Sequence, residues 1–245
     1  MYSIRAKTTI LNVAAVVVSM IAATAIGAIT IANFGHERAE KELALMCEDG
    51  KHRLNNYFKS VEQSVEIVSD LVDSSLDNIP DTTFNDDFAN HVAYVDAIFG
   101  SAAKKTNGVL TYYYRVDPSI TDITTTHEKG FWYTNLDGNG FEPHEVTDLS
   151  DDQFECIWFY KPKETGKPIW LPPYVTDNLD IYVVSYNYPV YRHDTFIGVV
   201  GIEIGYQTLG DQIGTIKAGN SGFAYIIEND GATIIYHPTI DILGM

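Results

Sequence analysis

The sequence predicts an α+β protein in which helices come first and a mostly antiparallel sheet follows. Apolar residues recur at intervals of three or four between residues 54 and 72, and again between 84 and 99, which is typical of amphipathic helices. After Asn107-Gly108, stretches rich in Tyr, Val and Ile alternate with turn residues, which is typical of strands. Two helices followed by such strands indicate the α+β class.

The N-terminal region contains an apolar segment long enough to cross a membrane. No charged residue occurs between Lys7 and His36, and about 20 apolar residues suffice to span a bilayer as a helix. Because Arg5 and Lys7 precede the segment, we predict a cytoplasmic N-terminus over 1–8 and a transmembrane helix over 9–34, in the cell membrane. The alternative is a cleaved signal peptide, whose apolar core usually has only about 7–15 residues. In both cases the following chain is exported.

A long exported helix is predicted over 35–80. Its apolar residues fall on one helical face, at Leu54, Tyr57, Val61, Val65, Val68 and Val72. That face could pack on the sheet or on the same helix of a second copy, so a homodimer through this helix is one predicted arrangement. A second amphipathic helix is predicted from the residues Phe84, Phe88, Val92, Val95 and Phe99.

Five strands are predicted after the helices, at 109–116, 131–135, 154–160, 181–191 and 195–205. The last two are joined through Arg192-His193-Asp194, a connection of hairpin length. The Pro-rich segment between the third and fourth strands is predicted to be a loop. The second helix and the strands together form one predicted module over 81–205.

A weak internal repeat indicates a second module. The pattern Gly-Phe-x-Tyr followed by Asp-Gly occurs in 130–141 and again in 222–235. Between the two copies, 206–218 is predicted to be a linking helix, and 219–245 is predicted to begin the second module. One hairpin alone is marginally stable in water, so we expect the natural chain to continue.

Composition and motifs exclude several classes of function. The formal net charge of −17 argues against nucleic acid as a partner, because binding phosphate requires a basic face. The seven histidines show no metal-ligand spacing, and there is no nucleophile elbow, phosphate loop or dinucleotide fingerprint. The sequence therefore predicts no catalytic residues, no metal site and no cofactor, and it does not predict an enzyme.

With this order of elements, the chain resembles the double Cache (dCache) sensor domains of bacterial transmembrane receptors. The resemblance covers roughly 35–245, and it is strongest in 158–178, in SYNYPVY with IGVVGIEI, and in SGFAYIIENDG with the His237-Pro238 that follows. It implies two PAS-like modules outside the membrane, of which the second is incomplete. It also implies that a small-molecule ligand binds the first, membrane-distal module.

The resemblance also implies particular site residues. Amino-acid-binding members of the family carry Arg-x-Trp-Tyr, then Tyr-x-Asp, then a further Asp at the end of the core hairpin. Trp158 and Phe159 match the Trp-Tyr pair, Tyr174 matches the next Tyr, and Glu203 stands where the last Asp belongs. Tyr133, on a neighbouring predicted strand, is a further candidate for the same pocket.

Two positions depart from that motif. Cys156 replaces the Arg that would clamp a ligand carboxylate, and Thr176 replaces the Asp of Tyr-x-Asp, although Asp177 is adjacent. A planar guanidinium suits two-pronged carboxylate binding, and a thiol does not. Aromatic rings with one or two carboxylates remain, which suits an amine or other cation.

The predicted function is therefore extracytoplasmic sensing of a small molecule by a membrane-inserted receptor. The predicted ligand-binding residues are Trp158, Phe159, Tyr174, Asp177, Glu203 and Tyr133. Two alternatives remain open. The aromatic cluster could be the core of a structural or interaction module, or the chain could be an exported hydrolase with Asp177 and Glu203 as its carboxylate pair.

Overall fold

The computed structural model describes residues 4–81, 84–120, 129–146, 148–150, 155–176, 179–216, 222–227 and 234–240. It divides into two compact units, Met1–Gly50 and Lys51–Met245. The four helices of the described residues are α1 (Ile4–Asp77), α2 (Phe84–Ala103), α3 (Ile157–Thr165) and α4 (Tyr206–Gly214). The strands are β1 (Val109–Val116), β2 (Gly130–Thr134), β3 (Glu142–Pro143), β4 (Ile169–Val175), β5 (Tyr182–Arg192), β6 (Thr195–Gly205), β7 (Ile226–Ile227) and β8 (Ile234–Tyr236).

Helix α1 covers both the predicted transmembrane segment and the predicted exported helix without a break. By length and composition it is the one helix in the described part of the chain that could cross a membrane. Large apolar side chains in its N-terminal part, such as Ile21, Ile26 and Ile29, are exposed. The Thr24 hydroxyl donates to the carbonyl oxygen of Met20 at 2.8 Å, so that this polar group is satisfied within the apolar helix.

The second unit contains a six-stranded sheet with the order β3-β2-β1-β6-β5-β4. All of its neighbouring strands are antiparallel, as the sequence predicted. The central hairpin of β5 and β6 pairs from Val183 with Gly205 to Arg192 with Thr195. His193 and Asp194 form its turn with positive φ angles of 47° and 64°, the backbone conformation that suits the right-handed twist of a hairpin.

Helices α1 and α2 pack on one face of the sheet, which we call the helix-side face. The predicted apolar face of the long helix is confirmed, because Val61, Val65, Val68 and Val72 are fully buried there. They pack in one core with apolar side chains of the central strands, including Ile202. This core supplies most of the apolar burial of the unit.

Helix α3 is part of a second cluster, which covers the opposite face, called the α3-side face below. The strand predicted over 154–160 is wrong, because Ile157–Thr165 forms a helix. Its β-branched and aromatic residues favour a strand locally, but a helix buries both Trp158 and Phe159 against the sheet. Gly166 ends the helix in the left-handed conformation with φ of 64°.

The predicted Pro-rich loop contains strand β4, which lies at the edge of the sheet. Pro172 and Pro173 lie where the pairing register shifts, between Leu171 and Tyr174. Proline cannot donate to a neighbouring strand, so an edge strand with an irregularity is where it is tolerated.

The described C-terminal elements are one helix and a small two-stranded sheet. Helix α4 lies within the predicted linking helix 206–218. Strands β7 and β8 pair antiparallel as a small separate sheet within the predicted 219–245 segment.

Candidate ligand-binding site

The α3-side face carries a row of buried polar residues across its central strands. Register places Glu203 of β6 between Thr111 of β1 and Ser185 of β5. Cross-strand partners point to the same side of a sheet, so these three side chains share one face. All three are essentially buried, and the side chain of Glu203 is only 1% exposed.

The next row contains an aromatic ring that lies across a glycine. Tyr113 pairs with Gly201, which in turn pairs with Asn187. A Cβ atom added to Gly201 would lie 2.6 Å from the Tyr113 ring, closer than real contacts allow. The absence of a side chain at Gly201 therefore allows the Tyr113 ring to cross the sheet, and its hydroxyl donates to Oδ1 of Asn187.

A hydrogen-bond network joins these two rows to the edge strand. Nδ2 of Asn187 donates to Oγ of Ser185 at 2.8 Å. The Tyr174 hydroxyl of β4 lies 3.1 Å from the same Oγ, and it donates to Oε1 of Glu203 at 3.0 Å. The network therefore fixes the Glu203 carboxylate among aromatic rings.

The tyrosines of this network remain protonated over the physiological pH range. Burial, followed by the negative charge of Glu203, raises the pKa of Tyr113 and of Tyr174 well above the usual value. Both phenols can therefore act as hydrogen-bond donors toward Glu203 and Asn187.

Trp158 lies beside a stacked pair of rings. Tyr113 and Trp132 are parallel, with ring centroids 4.2 Å apart. The Trp158 ring approaches each of them edge-on at 5.0 Å. Trp132, on the neighbouring strand β2, is a residue of this cluster that the sequence interpretation missed.

Three of the predicted site residues thus surround Tyr113, namely Trp158, Tyr174 and Glu203. Phe159 belongs to the same buried cluster, where its ring lies 5.9 Å from that of Trp158 and 5.6 Å from that of Phe196. Asp177 lies outside the described residues.

Tyr133 is on the opposite face of the sheet, so its prediction for the same pocket is wrong. It pairs with Tyr112 of β1 and stacks on that ring with centroids 5.1 Å apart. Its hydroxyl donates to Oδ2 of Asp96 on α2 at 2.9 Å. Side chains alternate along a strand, so Trp132 and Tyr133 point to different faces.

The motif position that holds Cys156 is buried at the start of α3. Arg115, on strand β1, is also buried. Its guanidinium donates to the carbonyl oxygens of Val116 at 2.7 Å and Lys129 at 3.2 Å, so it is bound to the main chain.

A metal is not indicated here. Among the residues that the structure describes, no group of three His, Cys, Asp or Glu side chains could hold a metal ion. The chemistry of the cluster is that of a buried carboxylate, hydroxyl and amide groups, and aromatic rings.

Comparison with known families identifies the fold. The family model dCache_1, described as a Cache domain, matches residues 33–245. The chain belongs to the Cache domain family. It therefore has the PAS-like architecture of a sensor domain, as its resemblance to double Cache domains predicted.

Solved structures share this Cache fold. The ligand-binding domain of the Campylobacter jejuni chemoreceptor Tlp3 in complex with 4-methylisoleucine has a TM-score of 0.56 and 15% identity, covering 84% of this chain and 75% of that one. The same domain in complex with L-norvaline has a TM-score of 0.52 and 16% identity, and the match covers 84% of this chain and 74% of that one. The extracellular domain of soHK1S-Z6, described as a histidine kinase, has a TM-score of 0.55 and 16% identity. That match covers 72% of this chain and 64% of the other. No curated protein matches the sequence.

Proposed function

We propose that this Cache domain senses a small molecule with an ammonium group, bound on the α3-side face between Trp158, Tyr174 and Glu203. The observation that carries this proposal is the hydrogen bond of 3.0 Å from Tyr174 to a Glu203 carboxylate that is only 1% exposed. Burying a carboxylate is costly unless charge or hydrogen bonds compensate it. A ligand ammonium would supply the opposite charge.

The aromatic rings suit the same ligand. Trp158, Tyr113 and Trp132 form a compact cluster beside the network that holds Glu203. The faces of such rings attract cations, and tryptophan does so most strongly. The Tlp3 domain has been solved with 4-methylisoleucine and with L-norvaline. Because Cys156 stands where amino-acid-binding members have Arg, we infer an amine ligand that does not require a carboxylate.

The β5–β6 hairpin offers a route from this site to α1. Glu203 lies on β6, and Arg192 lies at the tip of the same hairpin. The Arg192 guanidinium donates to the carbonyl oxygens of Leu76 at 3.0 Å and Ile79 at 2.6 Å, at the C-terminal end of α1. We infer that the hairpin, and with it the C-terminal end of α1, can take two positions. A ligand that binds more tightly to one of them shifts the equilibrium toward that position.

The proposal also covers the membrane insertion of α1 and its pairing with a second copy. We infer that the apolar part of α1 crosses the cell membrane, with the sensing region outside the cytoplasm. We infer also that α1 can pair with the α1 helix of a second copy, and that the region binds its ligand without transforming it. The apolar stretch of α1 and the absence of catalytic motifs in the sequence support these inferences.

The test is calorimetry on the full chain in lipid nanodiscs, with amines, amino acids and carboxylates as ligands. We expect amines to bind, and Glu203→Gln and Trp158→Ala to weaken that binding by about tenfold or more. Glu142→Gln is the matched control, because Glu142 is exposed on β3 and away from the cluster.

Two results would contradict the proposal. One is the absence of any ligand in the panel. The other is a ligand whose affinity is unchanged by both Glu203→Gln and Trp158→Ala. The aromatic cluster would then be core packing, and the chain would act as a structural or interaction module.

A further inference from the structure

A second cavity of about 300 Å³ lies at the other end of the sheet, between α2 and the edge formed by β2 and the 143–146 segment. Its lining comes from three segments of the second unit: Val92, Ala93 and Asp96; Gly130 to Tyr133; and Pro143, His144 and Val146. None of Trp158, Tyr174 and Glu203 lines it. Trp132 and Val146 of the α3-side cluster do line it, so the cavity adjoins that cluster without containing the three residues of the proposed site.

One wall of the cavity carries a carboxylate that is held in place. Oδ2 of Asp96 accepts a hydrogen bond from the Tyr133 hydroxyl at 2.9 Å. The Tyr133 ring is itself fixed by its parallel stack on Tyr112. Burial raises the pKa of Asp96, and the hydrogen bond from Tyr133 acts in the opposite direction. Asp96 is thus a half-buried acid whose negative charge would be stabilised by a cation.

His144 also lines the cavity. Nδ1 of His144 is buried, and it has no hydrogen-bond partner within the described part of the chain. The segment that bears it is fixed, because the backbone N–H of His144 donates to the carbonyl oxygen of Trp132 at 2.7 Å.

The rest of the lining is apolar. Val92, Phe131, Pro143 and Val146 contribute hydrocarbon or aromatic surface, and Ala93 is an exposed residue of the lining. Cavities of about 300 Å³ stand at the small end of the range for ligand sites, which excludes large ligands. A few polar groups on an otherwise apolar lining are the usual composition of such sites.

We propose that this cavity is a second binding site, for a small primary amine with an apolar body whose ammonium group pairs with Asp96. An ammonium group has three N–H donors. The lining offers two acceptors that are joined by a hydrogen bond, namely the Asp96 carboxylate and the Tyr133 phenol oxygen. An anionic ligand would be repelled by Asp96.

The two proposed sites use different acids, Asp96 here and Glu203 on the α3-side face, and Trp132 lies beside both. Tyr133 lines this second cavity, whereas Glu203 belongs to the α3-side face. An amine in the second site would be a second ligand in contact with the same sheet, beside α2.

The experiment is a calorimetric titration of the full chain in lipid nanodiscs with isopentylamine. All titrations use the Glu203→Gln background, which weakens amine binding at the first site. Isopentanol and isovalerate, which have nearly the same shape without the positive charge, are the control ligands. We expect isopentylamine to bind at least about tenfold more tightly than either.

Three further variants on α2 test the residues. Asp96→Asn keeps an acceptor for Tyr133, so we expect it to fold and to weaken isopentylamine binding by about tenfold to a hundredfold. Asp86→Asn makes the same charge change at an exposed position of α2 and should leave the affinity unchanged. Ala93→Trp should fill the cavity and abolish binding without removing any polar group.

The absence of isopentylamine binding in the Glu203→Gln background would overturn the proposal. So would equal affinities for isopentylamine and isopentanol, or an affinity that Asp96→Asn leaves unchanged. Weaker binding in Asp96→Asn together with unchanged binding in Asp86→Asn would support it.

Discussion

The two faces of the six-stranded sheet are built from the same strands and differ in what they bury. On β6, Ile202 points to the helix-side face and is fully buried among apolar side chains of α1 and α2. The next residue, Glu203, points to the α3-side face and is equally buried in a polar network. Burial alone therefore does not distinguish the two faces, whereas the chemistry of the buried groups does.

This difference separates stability from recognition. An apolar face stabilises the fold in proportion to the surface it removes from water. A buried acid, amide and hydroxyl contribute little net stability to the fold. If one of their hydrogen-bond partners is removed, the group left unpaired destabilises the fold. The helix-side face thus supplies the stability that allows the α3-side face to keep buried polar groups in place.

The largest expected effect comes from mutating the two neighbours on β6. Ile202→Ala should lower the free energy of unfolding by about 2–5 kcal/mol, because it leaves a cavity in the helix-side core. Glu203→Gln should lower it by much less, because the amide oxygen can still accept from Tyr174. Denaturant unfolding of the full chain in detergent, with binding measured in parallel, checks both. Equal losses of stability would refute the division between the faces.

A pH titration tests whether the helix-side face tolerates charge. His91 of α2 is buried there, with Nδ1 2.9 Å from Oγ of Ser75 and Nε2 3.4 Å from the Tyr114 hydroxyl. Burial lowers the pKa of His91 from 6.5 to about 4. The stability linked to neutral His91 is fully present above about pH 6.5 and is lost as pH falls through 4. We expect unfolding to cost about 2–3 kcal/mol less at pH 4.5 than at pH 7 from this group.

The His91→Gln variant isolates that contribution. Glutamine can hydrogen-bond but does not titrate, so its stability should change less between pH 7 and pH 4.5 than that of the natural chain. Other groups titrate in both proteins and cancel in the comparison. Parallel pH profiles for the two proteins would show that His91 does not stay neutral.

Gly201→Ala tests the construction of the α3-side face. The new methyl group would lie 2.6 Å from the Tyr113 ring, which would have to move and break its hydrogen bond to Asn187. We expect a loss of about 2 kcal/mol in unfolding free energy, with weaker ligand binding. In a Tyr113→Leu background the same substitution should cost clearly less, because the clash with the Tyr113 ring is absent. Additive losses in the double variant would contradict this account of Gly201.

Most of the scaffold could be predicted from the sequence because its signals are periodic. The helical spacing of Val61, Val65, Val68 and Val72 extends over several turns, and it correctly identified the face of α1 that packs on the sheet. The β5–β6 hairpin was also predicted, since two long strand-like segments flank a short connection. Such patterns persist because many residues share one environment.

The site was predicted only in part, because its residues depend on tertiary context. Trp158 and Tyr174 were predicted as site residues through the family spacing, although the elements that carry them were predicted wrongly. The residues at 156–160 favour strand locally, yet the α3-side face needs a helix above it. Tyr113 and Asn187 were missed, because their role follows from pairing with Gly201 and not from any local motif.

The smallest expected effect concerns an acid on the helix side. Burial, followed by the charges of Asp70 and Asp77, raises the pKa of Asp73 from 3.8 to about 6, against a hydrogen bond from the Tyr191 backbone. The stability linked to protonated Asp73 is fully present below about pH 4 and is lost as pH rises through 6. Asp73 is half-exposed, so solvent screening reduces the effect, and Asp73→Asn should stabilise the fold at pH 7 by about 1 kcal/mol. Thermal unfolding at pH 7 and pH 4 measures this gain, which should vanish at the lower pH, whereas Asp86→Asn should give none at either. A gain for Asp73→Asn that persists at pH 4 would mean that the carboxylate charge is not its cause, and that the helix-side face accepts an acid as readily as the α3-side face does.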